Sequence, residues 1–143
     1  MQSIRSLKVL TLLDNMVYSQ GPLAHGGYSS LLSYVDAEVV ARRVLMDTGS
    51  DAEAFLRNAK LLEVDFRSLD SVVLSHGHYD HTSATVQVAE ARPSIRIHAH
   101  PAVFSERYMV DEKGKRHRLS PPTGEGLKEL KAGELKSSTT ESL

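Results

Sequence analysis

Four side chains that commonly bind metal ions lie within six residues of one another in this sequence, directly after a short apolar segment. They are His76, His78, Asp80 and His81, in the stretch LSHGHYDHTSA. Imidazole and carboxylate groups are good ligands for zinc, and they also suit iron or manganese. The chain has no cysteine, so a bound metal must take nitrogen and oxygen ligands. The motif therefore predicts a metal site in a loop that follows a buried strand.

The spacing within the motif supports this interpretation. The first two histidines are two residues apart, so in an extended backbone their side chains project to the same side. Gly77 allows an unusual backbone angle, and Ser75 or Thr82 can form hydrogen bonds within the loop. The alternative is a polar loop whose histidines have no role, but four such side chains behind an apolar strand favour the metal site.

The pattern of apolar residues predicts a sheet with helices packed on one face, which is an α/β arrangement. The predicted strands are Leu7–Asn15, Tyr28–Val35, Val39–Asp47, Ser71–Ser75 and Ser94–His100. The predicted helices are Asp51–Val64 and Thr82–Ala91. A short turn around residues 36–38 would join the second and third strands as a hairpin.

The first predicted helix has one apolar face and a capping residue at its start. At helical spacing the buried face would consist of Ala54, Phe55, Asn58, Leu61 and Leu62. Ser50 or Asp51 would cap the amino terminus, where acidic residues also favour a helix.

The length and the net charge of the chain limit the classes of function that it can have. A chain of 143 residues is long enough for one domain. Its net charge of −1 gives no reason to expect nucleic acid as a partner. No apolar run approaches the roughly 20 residues that a membrane span needs, and no secretory signal is recognisable, so we expect a cytoplasmic protein without a membrane partner. The basic run EKGKRHR at residues 112–118 is interpreted as a solvated loop, with contact to an anionic substrate group as the alternative.

Other catalytic signatures are missing from the sequence. It contains no G-x-S-x-G, the motif of a serine nucleophile on a sharp strand–helix turn. The glycine-containing stretch GPLAHGG lacks the lysine and the spacing of a phosphate-binding loop. The metal motif is therefore the feature on which a functional hypothesis depends.

The stretch SHGHYDHTSA resembles the signature of the metallo-β-lactamase superfamily. Three longer stretches, AHGGYSSLLSYV, VLMDTGSDAEAFLRNAKLLEVDFRSLDSVVLSHGHYDHT and IRIHAHPAVFSERY, together resemble one branch. That branch is the dihydropterin-ribofuranosylaminobenzene-phosphate synthase-like metallo-hydrolases. The resemblance covers about Leu7 to Tyr108, and its most specific part is the metal motif.

The resemblance implies a fold and a chemistry. The fold would be the αβ/βα sandwich, which is built from two similar halves. His76 and His78 would bind a first zinc, while Asp80 and His81 would serve a second, and Asp80 is also the candidate catalytic residue. Water activated by the metal would be the nucleophile of a hydrolase.

Two further residues gain a role through the resemblance alone. Asp47, in the stretch DTGS, matches an aspartate at a strand end that supports the metal loop. His25, in the stretch AHGG, matches a histidine that this branch places near the mouth of the active site. The alternatives are an ordinary residue of a strand-end turn for Asp47 and a flexible loop residue for His25.

The chain departs from the family in its length after the motif. Members of the family take a third histidine, a bridging aspartate and a last histidine from their second half, whereas the histidines after the motif here are only His98, His100 and His117. His98 and His100 would share one side of the last predicted strand, and His117 would be solvated. We therefore interpret residues 1–108 as the N-terminal half of the fold and residues 109–143 as a poorly determined tail.

Three functional hypotheses follow. The first is a zinc-dependent metallo-hydrolase, with one or two ions, that acts on a small-molecule substrate. Under this hypothesis a pterin-linked transferase reaction, as in the synthase-like branch, is the alternative to hydrolysis. The second is a non-catalytic metal-binding or interaction half-domain, and the third is a truncated or degenerate gene product with no function of its own. Because an isolated half would expose one apolar face of its sheet, we expect a homodimer or pairing with a second half-domain.

Overall fold

A computed structural model describes residues 4–105 and 107–119 of the chain. Its strands are β1 (Ile4–Leu13), β2 (Ser29–Asp36), β3 (Ala41–Met46), β4 (Ser71–Leu74), β5 (Arg96–Ala99), β6 (Arg107–Val110) and β7 (Arg116–Leu119). Its helices are α1 (Ala52–Leu61), α2 (Tyr79–Thr82) and α3 (Thr85–Ala91). Two short 3₁₀ turns, Phe66–Ser68 and Pro101–Phe104, precede β4 and follow β5.

The first five strands form one mixed sheet in sequence order, β1-β2-β3-β4-β5. The pairs β1–β2 and β2–β3 are antiparallel, whereas β3–β4 and β4–β5 are parallel. Parallel neighbours need a long crossover connection, and helix α1 and then helices α2 and α3 lie in these two connections. The predicted order of strands and helices, and with it the α/β class, is confirmed.

The hydrophobic core lies between this sheet and the helices on one of its faces. Leu45, Val72 and Ile97 are neighbours across β3, β4 and β5, and all three are buried. Phe55 of α1 and Val88 of α3 belong to the same buried cluster. Burying a large apolar side chain contributes about 1.5–3 kcal/mol, so this layer accounts for the packing of the helices.

The opposite face of the sheet is apolar and partly open to solvent. Val9, Leu32 and Val44 are neighbours across β1, β2 and β3, one residue out of phase with the buried row. Val9 is 52% exposed and Leu7, two residues before it, is 57% exposed. Since side chains alternate between the faces of a strand, these residues lie on the side away from the helices.

Helix α1 agrees with the prediction at its start and differs at its end. The carboxylate of Asp51 accepts a hydrogen bond from the backbone N–H of Ala54, so Asp51 is the N-cap. Phe55 and Asn58 are buried as predicted. Leu61, which was predicted to lie on the buried face, is the last helical residue and is half exposed.

The helix predicted over residues 82–91 begins earlier and is interrupted. Helix α2 already contains Asp80 and His81, which were placed in a loop. The backbone N–H of Ser83 donates to the carbonyl oxygen of Gly49 at 3.0 Å, instead of to a carbonyl of its own helix. This tertiary hydrogen bond separates α2 from α3.

The basic segment at residues 112–118 was interpreted as a loop, and it is half turn and half strand. β6 and β7 form a separate antiparallel hairpin, in which Tyr108 is paired with Arg118. The carboxylate of Asp111 accepts hydrogen bonds from the backbone N–H groups of Lys113 and Lys115, which closes the turn. The predicted boundary at residue 108 therefore falls within β6, and the predicted tail beyond residue 119 lies outside the described residues.

Candidate metal centre

The predicted metal motif lies at the carboxyl ends of two neighbouring parallel strands. Asp47 directly follows β3, and the segment Ser75–His81 follows β4. Loops at this edge of an open α/β sheet are the usual place for a binding site. The fold thus brings together two segments that are nearly 30 residues apart in the chain.

Asp47 is almost fully buried, and its carboxylate joins the two segments. One carboxylate oxygen accepts the backbone N–H of Ser75 at 2.8 Å. The other accepts the hydroxyl of Ser75 at 2.7 Å and Nδ1–H of His81 at 2.8 Å. Its backbone has a φ of 55°, a left-handed conformation that aspartate tolerates better than most residues. These contacts give Asp47 the supporting position that the family resemblance implied.

The hydrogen bond with Asp47 fixes which nitrogen of His81 is free. A carboxylate can only accept, so Nδ1 of His81 carries the proton and Nε2 presents its lone pair. That Nε2 lies 3.7 Å from a carboxylate oxygen of Asp80. An imidazole whose far nitrogen is held by a carboxylate is a common arrangement around protein-bound metals.

His76 is oriented through the hydroxyl of Ser75. Because the Ser75 proton is donated to Asp47, the hydroxyl oxygen accepts Nδ1–H of His76 at 2.8 Å. Nε2 of His76 then lies 3.0 Å from Nδ1 of His78. The predicted convergence of the two histidines is thus observed, with two nitrogen atoms facing each other.

The four motif side chains and Asp47 form two overlapping groups that could hold a metal ion. One group is Asp47, His76 and His81, and the other is His76, His78 and Asp80, with all ligand atoms of a group within 4.8 Å of one another. Both carboxylate oxygens of Asp47 are already engaged by Ser75 and His81, so we regard Asp47 as support. Three nitrogen and oxygen donors match the protein ligands of a catalytic zinc, so the donor set is suitable.

The electrostatics of the site favour neutral imidazole at its centre. Burial lowers the pKa of His76, and the nearby His81 and His78 lower it further because adjacent positive charges repel. The carboxylates of Asp47 and Asp80 offset this only in part. A neutral imidazole is the form that binds metal, so the site does not have to lose a proton from His76 at neutral pH.

The loop itself is held differently from the prediction. Thr82 contributes as expected, because its hydroxyl donates to the carbonyl oxygen of His78 at 2.9 Å. Gly77, however, is buried and does not have a positive φ, so the predicted unusual backbone angle is wrong. Near the site, Gly27 and Gly49 have a positive φ, as does Asp47.

Two backbone segments that sequence reasoning did not assign to the site hold the motif from outside. The N–H of Tyr28 donates to the carbonyl oxygen of Asp80 at 3.2 Å, and that of Thr48 donates to His81 at 2.8 Å. The N–H of Gly49 donates to the carbonyl oxygen of Tyr28 at 3.0 Å. The adjacent glycines in the stretch AHGGY are the one sequence signal that could have pointed to this contact.

His25 lies on one of these segments. Its Nδ1 is 2.6 Å from the hydroxyl oxygen of Ser50, and that hydroxyl donates to the carbonyl oxygen of Gly26. His25 is therefore held near the segment that touches Asp80, although it belongs to neither metal group. Its predicted place at the mouth of an active site remains a prediction.

The remaining histidines lie apart from the candidate ligands. His98 is on β5, opposite Val73 of β4. His100 follows that strand, and its Nδ1 accepts the N–H of Ala102 at 3.1 Å, so it caps the next turn. His117 is on β7 and contacts the carboxylate of Asp111 at 2.7 Å. Within residues 4–105 and 107–119, neither candidate metal group includes any of the three.

A family model described as "Beta-lactamase superfamily domain" matches residues 42–129, more than half of the chain. The chain belongs to the metallo-β-lactamase superfamily, and its mixed sheet with helices is an α/β fold of that type.

Two proteins of Methanocaldococcus jannaschii are similar in sequence. One is 7,8-dihydropterin-6-methyl-4-(beta-D-ribofuranosyl)-aminobenzene-5'-phosphate synthase, 31% identical over 76% of this chain and 37% of its own length. The other is an uncharacterized protein, 30% identical over 76% of this chain and 42% of its own length. The chain thus spans about two fifths of these relatives.

A solved structure supports the fold. The metallo-β-lactamase SMB-1, bound to 2-mercaptoethanesulfonate, matches 84% of this chain and 43% of its own at a TM-score of 0.50 and 12% identity. Similarity at this level concerns the fold and not the reaction. Among the described residues, no helix is both long enough and apolar enough to cross a bilayer.

Proposed function

We propose that this chain supplies the metal-binding part of a zinc-dependent hydrolase that acts on a small molecule in the cytoplasm. The observation that carries the proposal is the convergence of His76, His78, Asp80 and His81 at one sheet edge, with nitrogen and oxygen donors a few ångströms apart. Membership of the metallo-β-lactamase superfamily gives the reaction class its support.

The residues present divide into those that hold the ion and those that hold the ligands. His76, His78 and Asp80 would bind one ion, and His81 with Asp80 would serve a second; iron or manganese would also suit these donors. Such an ion supplies Lewis-acid chemistry and makes water a nucleophile at neutral pH. Asp47 keeps Nε2 of His81 free of its proton, and through Ser75 it does the same for His76.

Asp80 is the proposed catalytic residue. Its side chain is about one-third exposed, and it faces Nε2 of His81. A carboxylate in that position can accept a hydrogen bond from an attacking water and so orient it toward a substrate. Because the N–H of Tyr28 holds the backbone of Asp80, the carboxylate is attached to the chain at a fixed position.

A complete active site would take further ligands from outside the described residues. The chain spans about two fifths of its relatives, and the sheet face formed by Leu7, Val9, Leu32 and Val44 is apolar and partly open. We propose that a second half-domain or a second copy of the chain covers this face, because exposed apolar patches favour association.

A second candidate function is a pterin-linked transferase reaction. The similarity to the dihydropterin-ribofuranosylaminobenzene-phosphate synthase is the observation that favours it. The two candidates use the same metal residues and differ in the bond that is made or broken. A purely metal-binding or interaction module is the remaining alternative.

Zinc content and oligomeric mass measured on one sample test the proposal. We expect near-stoichiometric zinc by elemental analysis, loss of that zinc in the variant Asp80→Ala with His81→Ala, and retention in His100→Ala. His100 is a suitable control because it is exposed and outside both metal groups. Equal zinc in all three proteins would refute a site at residues 76–81, and light scattering that gives a monomer would refute the homodimer.

Turnover then separates the candidates. Zinc-loaded protein that hydrolyses phosphoester or ester substrates supports the hydrolase, whereas condensation activity on a pterin supports the transferase. Stoichiometric zinc with neither activity, even when a second half-domain is supplied, supports the metal-binding module.

A further inference from the structure

Gly27 lies directly against the backbone of Asp80. Its φ of 85° is a left-handed conformation that glycine adopts without cost. A Cβ atom on this residue would lie 1.7 Å from the carbonyl oxygen of Asp80, 2.6 Å from its carbonyl carbon and 2.8 Å from its Cβ. Two of these three atoms are backbone, so they cannot move aside by a change of rotamer.

Hydrogen bonds hold Gly27 in this contact from both sides. Its N–H donates to the side-chain oxygen of Asn15 at 3.0 Å. The next N–H, of Tyr28, donates to the carbonyl oxygen of Asp80, and the carbonyl oxygen of Tyr28 accepts from Gly49. The close approach is therefore part of a bonded network and not an accidental crossing of two loops.

We propose that Gly27 is a positioning residue for the carboxylate of Asp80, and this inference rests on the proposed metal-dependent function. The absence of a side chain lets residues 26–28 lie on the backbone of helix α2 at Asp80, which sets the distance from its carboxylate to His76 and His78. Asn15 and Tyr28 keep the two backbones in contact.

The geometry gives the size of the effect. An alanine at position 27 must move away from Asp80, or displace it, by about 1.7 Å to bring its Cβ from 1.7 Å to an ordinary van der Waals contact of 3.4 Å with the carbonyl oxygen. Metal ligands are held within a few tenths of an ångström, so such a shift matters. Loss of a supporting contact around a metal site typically weakens affinity by roughly 10- to 100-fold.

The experiment compares Gly27→Ala with two control glycines. Gly26→Ala changes the same loop, but its Cβ would meet the hydroxyl oxygen of Ser50 at an ordinary 3.5 Å. Gly21→Ala carries the same kind of backbone strain, with a φ of 112°, but the three atoms nearest its Cβ all belong to the flexible side chain of Leu61. Each variant is titrated with Zn²⁺ and with Co²⁺, and its thermal unfolding and backbone amide hydrogen exchange are measured without metal.

We expect Gly27→Ala alone to lose amide protection at Tyr28, to weaken Zn²⁺ binding by at least about 10-fold and to change the visible absorption of bound Co²⁺. A variant that is merely less stable would bind fewer ions with an unchanged Co²⁺ spectrum. Equal affinity and equal spectra in Gly27→Ala and Gly26→Ala would overturn the proposal.

A second pair of variants keeps the test valid if Gly27→Ala does not fold. Asn15→Ala removes the acceptor of the Gly27 N–H without a clash, and Asn15→Asp restores an acceptor oxygen. We expect weaker Zn²⁺ binding in the first and recovery in the second; no difference between them would overturn the positioning role. If the unsubstituted protein binds no metal, the proposed function fails, and amide protection at Tyr28 still reports on the backbone contact.

Discussion

Replacing Asp47 with asparagine tests whether this residue controls the metal site by fixing the proton of His81. The substitution keeps the shape of the side chain, and asparagine also tolerates the left-handed backbone at this position. The amide oxygen can still accept the N–H of Ser75. The amide nitrogen, however, cannot accept from the hydroxyl of Ser75 or from Nδ1 of His81, which the carboxylate does now.

The expected magnitude follows from these two bonds. Hydrogen bonds to a charged, buried acceptor contribute about 1.5–3 kcal/mol each, and the hydroxyl and the imidazole can partly reorient, so we expect a loss of roughly 2–4 kcal/mol in unfolding free energy. When His81 reorients, its proton moves to Nε2, the atom that would bind metal. Zinc affinity should therefore fall by roughly 10- to 100-fold.

Chemical denaturation of the metal-free protein and zinc titration against a chromogenic chelator measure the two effects. Asp36→Asn is the matched control, because Asp36 also accepts three hydrogen bonds but lies at the opposite end of β2. Asp47→Asn should add less than its full effect to the affinity loss of His81→Ala, because only its route through Ser75 to His76 remains in that double variant. Fully additive losses, or wild-type zinc affinity in Asp47→Asn, would refute the reasoning.

Three other predictions concern stability. Val39→Gly should stabilise the protein by about 1 kcal/mol in denaturation experiments, because this exposed, β-branched residue has a φ of 63° in the β2–β3 turn; unchanged or lower stability would contradict this. The pKa of Asp111 is lowered, chiefly by its hydrogen bond with His117 and then by those with the N–H groups of Lys115 and Lys113. The ionised carboxylate therefore stabilises the hairpin above about pH 4, and this stabilisation is lost as the pH falls below that. Amide exchange of Lys115 should then accelerate in acid beyond the intrinsic rate, and Asp111→Asn should abolish that dependence. Free zinc at about 100 times its Kd should raise the unfolding free energy by ~2.7 kcal/mol, and chelation should reverse the gain; an unchanged melting temperature would count against specific binding.

The parts of the fold that could be predicted are those that local patterns encode. The five strands of the main sheet and helix α1 have apolar residues at the period of their own structure, and Asp51 caps α1 as expected. The convergence of His76 and His78 follows from their spacing in an extended segment. The supporting role of Asp47 could be predicted only from the family resemblance, because the spacing in the sequence does not connect this residue with His81.

The parts that could not be predicted depend on contacts between distant segments. The break between α2 and α3 arises from a hydrogen bond of Ser83 to Gly49, 34 residues earlier. The β6–β7 hairpin has four-residue strands and exposed apolar residues, so it lacks the alternation that identifies a half-buried strand. Two adjacent glycines indicate a permissive backbone, but they do not say that Gly27 would lie on Asp80.

The site combines donors from one short segment with supporting contacts from two others. His76, His78, Asp80 and His81 all lie in the seven residues after β4, so the fold of the described residues already brings them together. Asp47 sets the free nitrogens of two imidazoles, and the N–H of Tyr28 holds the backbone of Asp80, the candidate carboxylate ligand. Most of the conformational entropy of arranging these ligands is therefore lost when the sheet edge folds and not when the metal binds. It follows that metal affinity should depend on Asp47 and Gly27 even in the chain by itself, whereas turnover should depend on whatever covers the open face of the sheet.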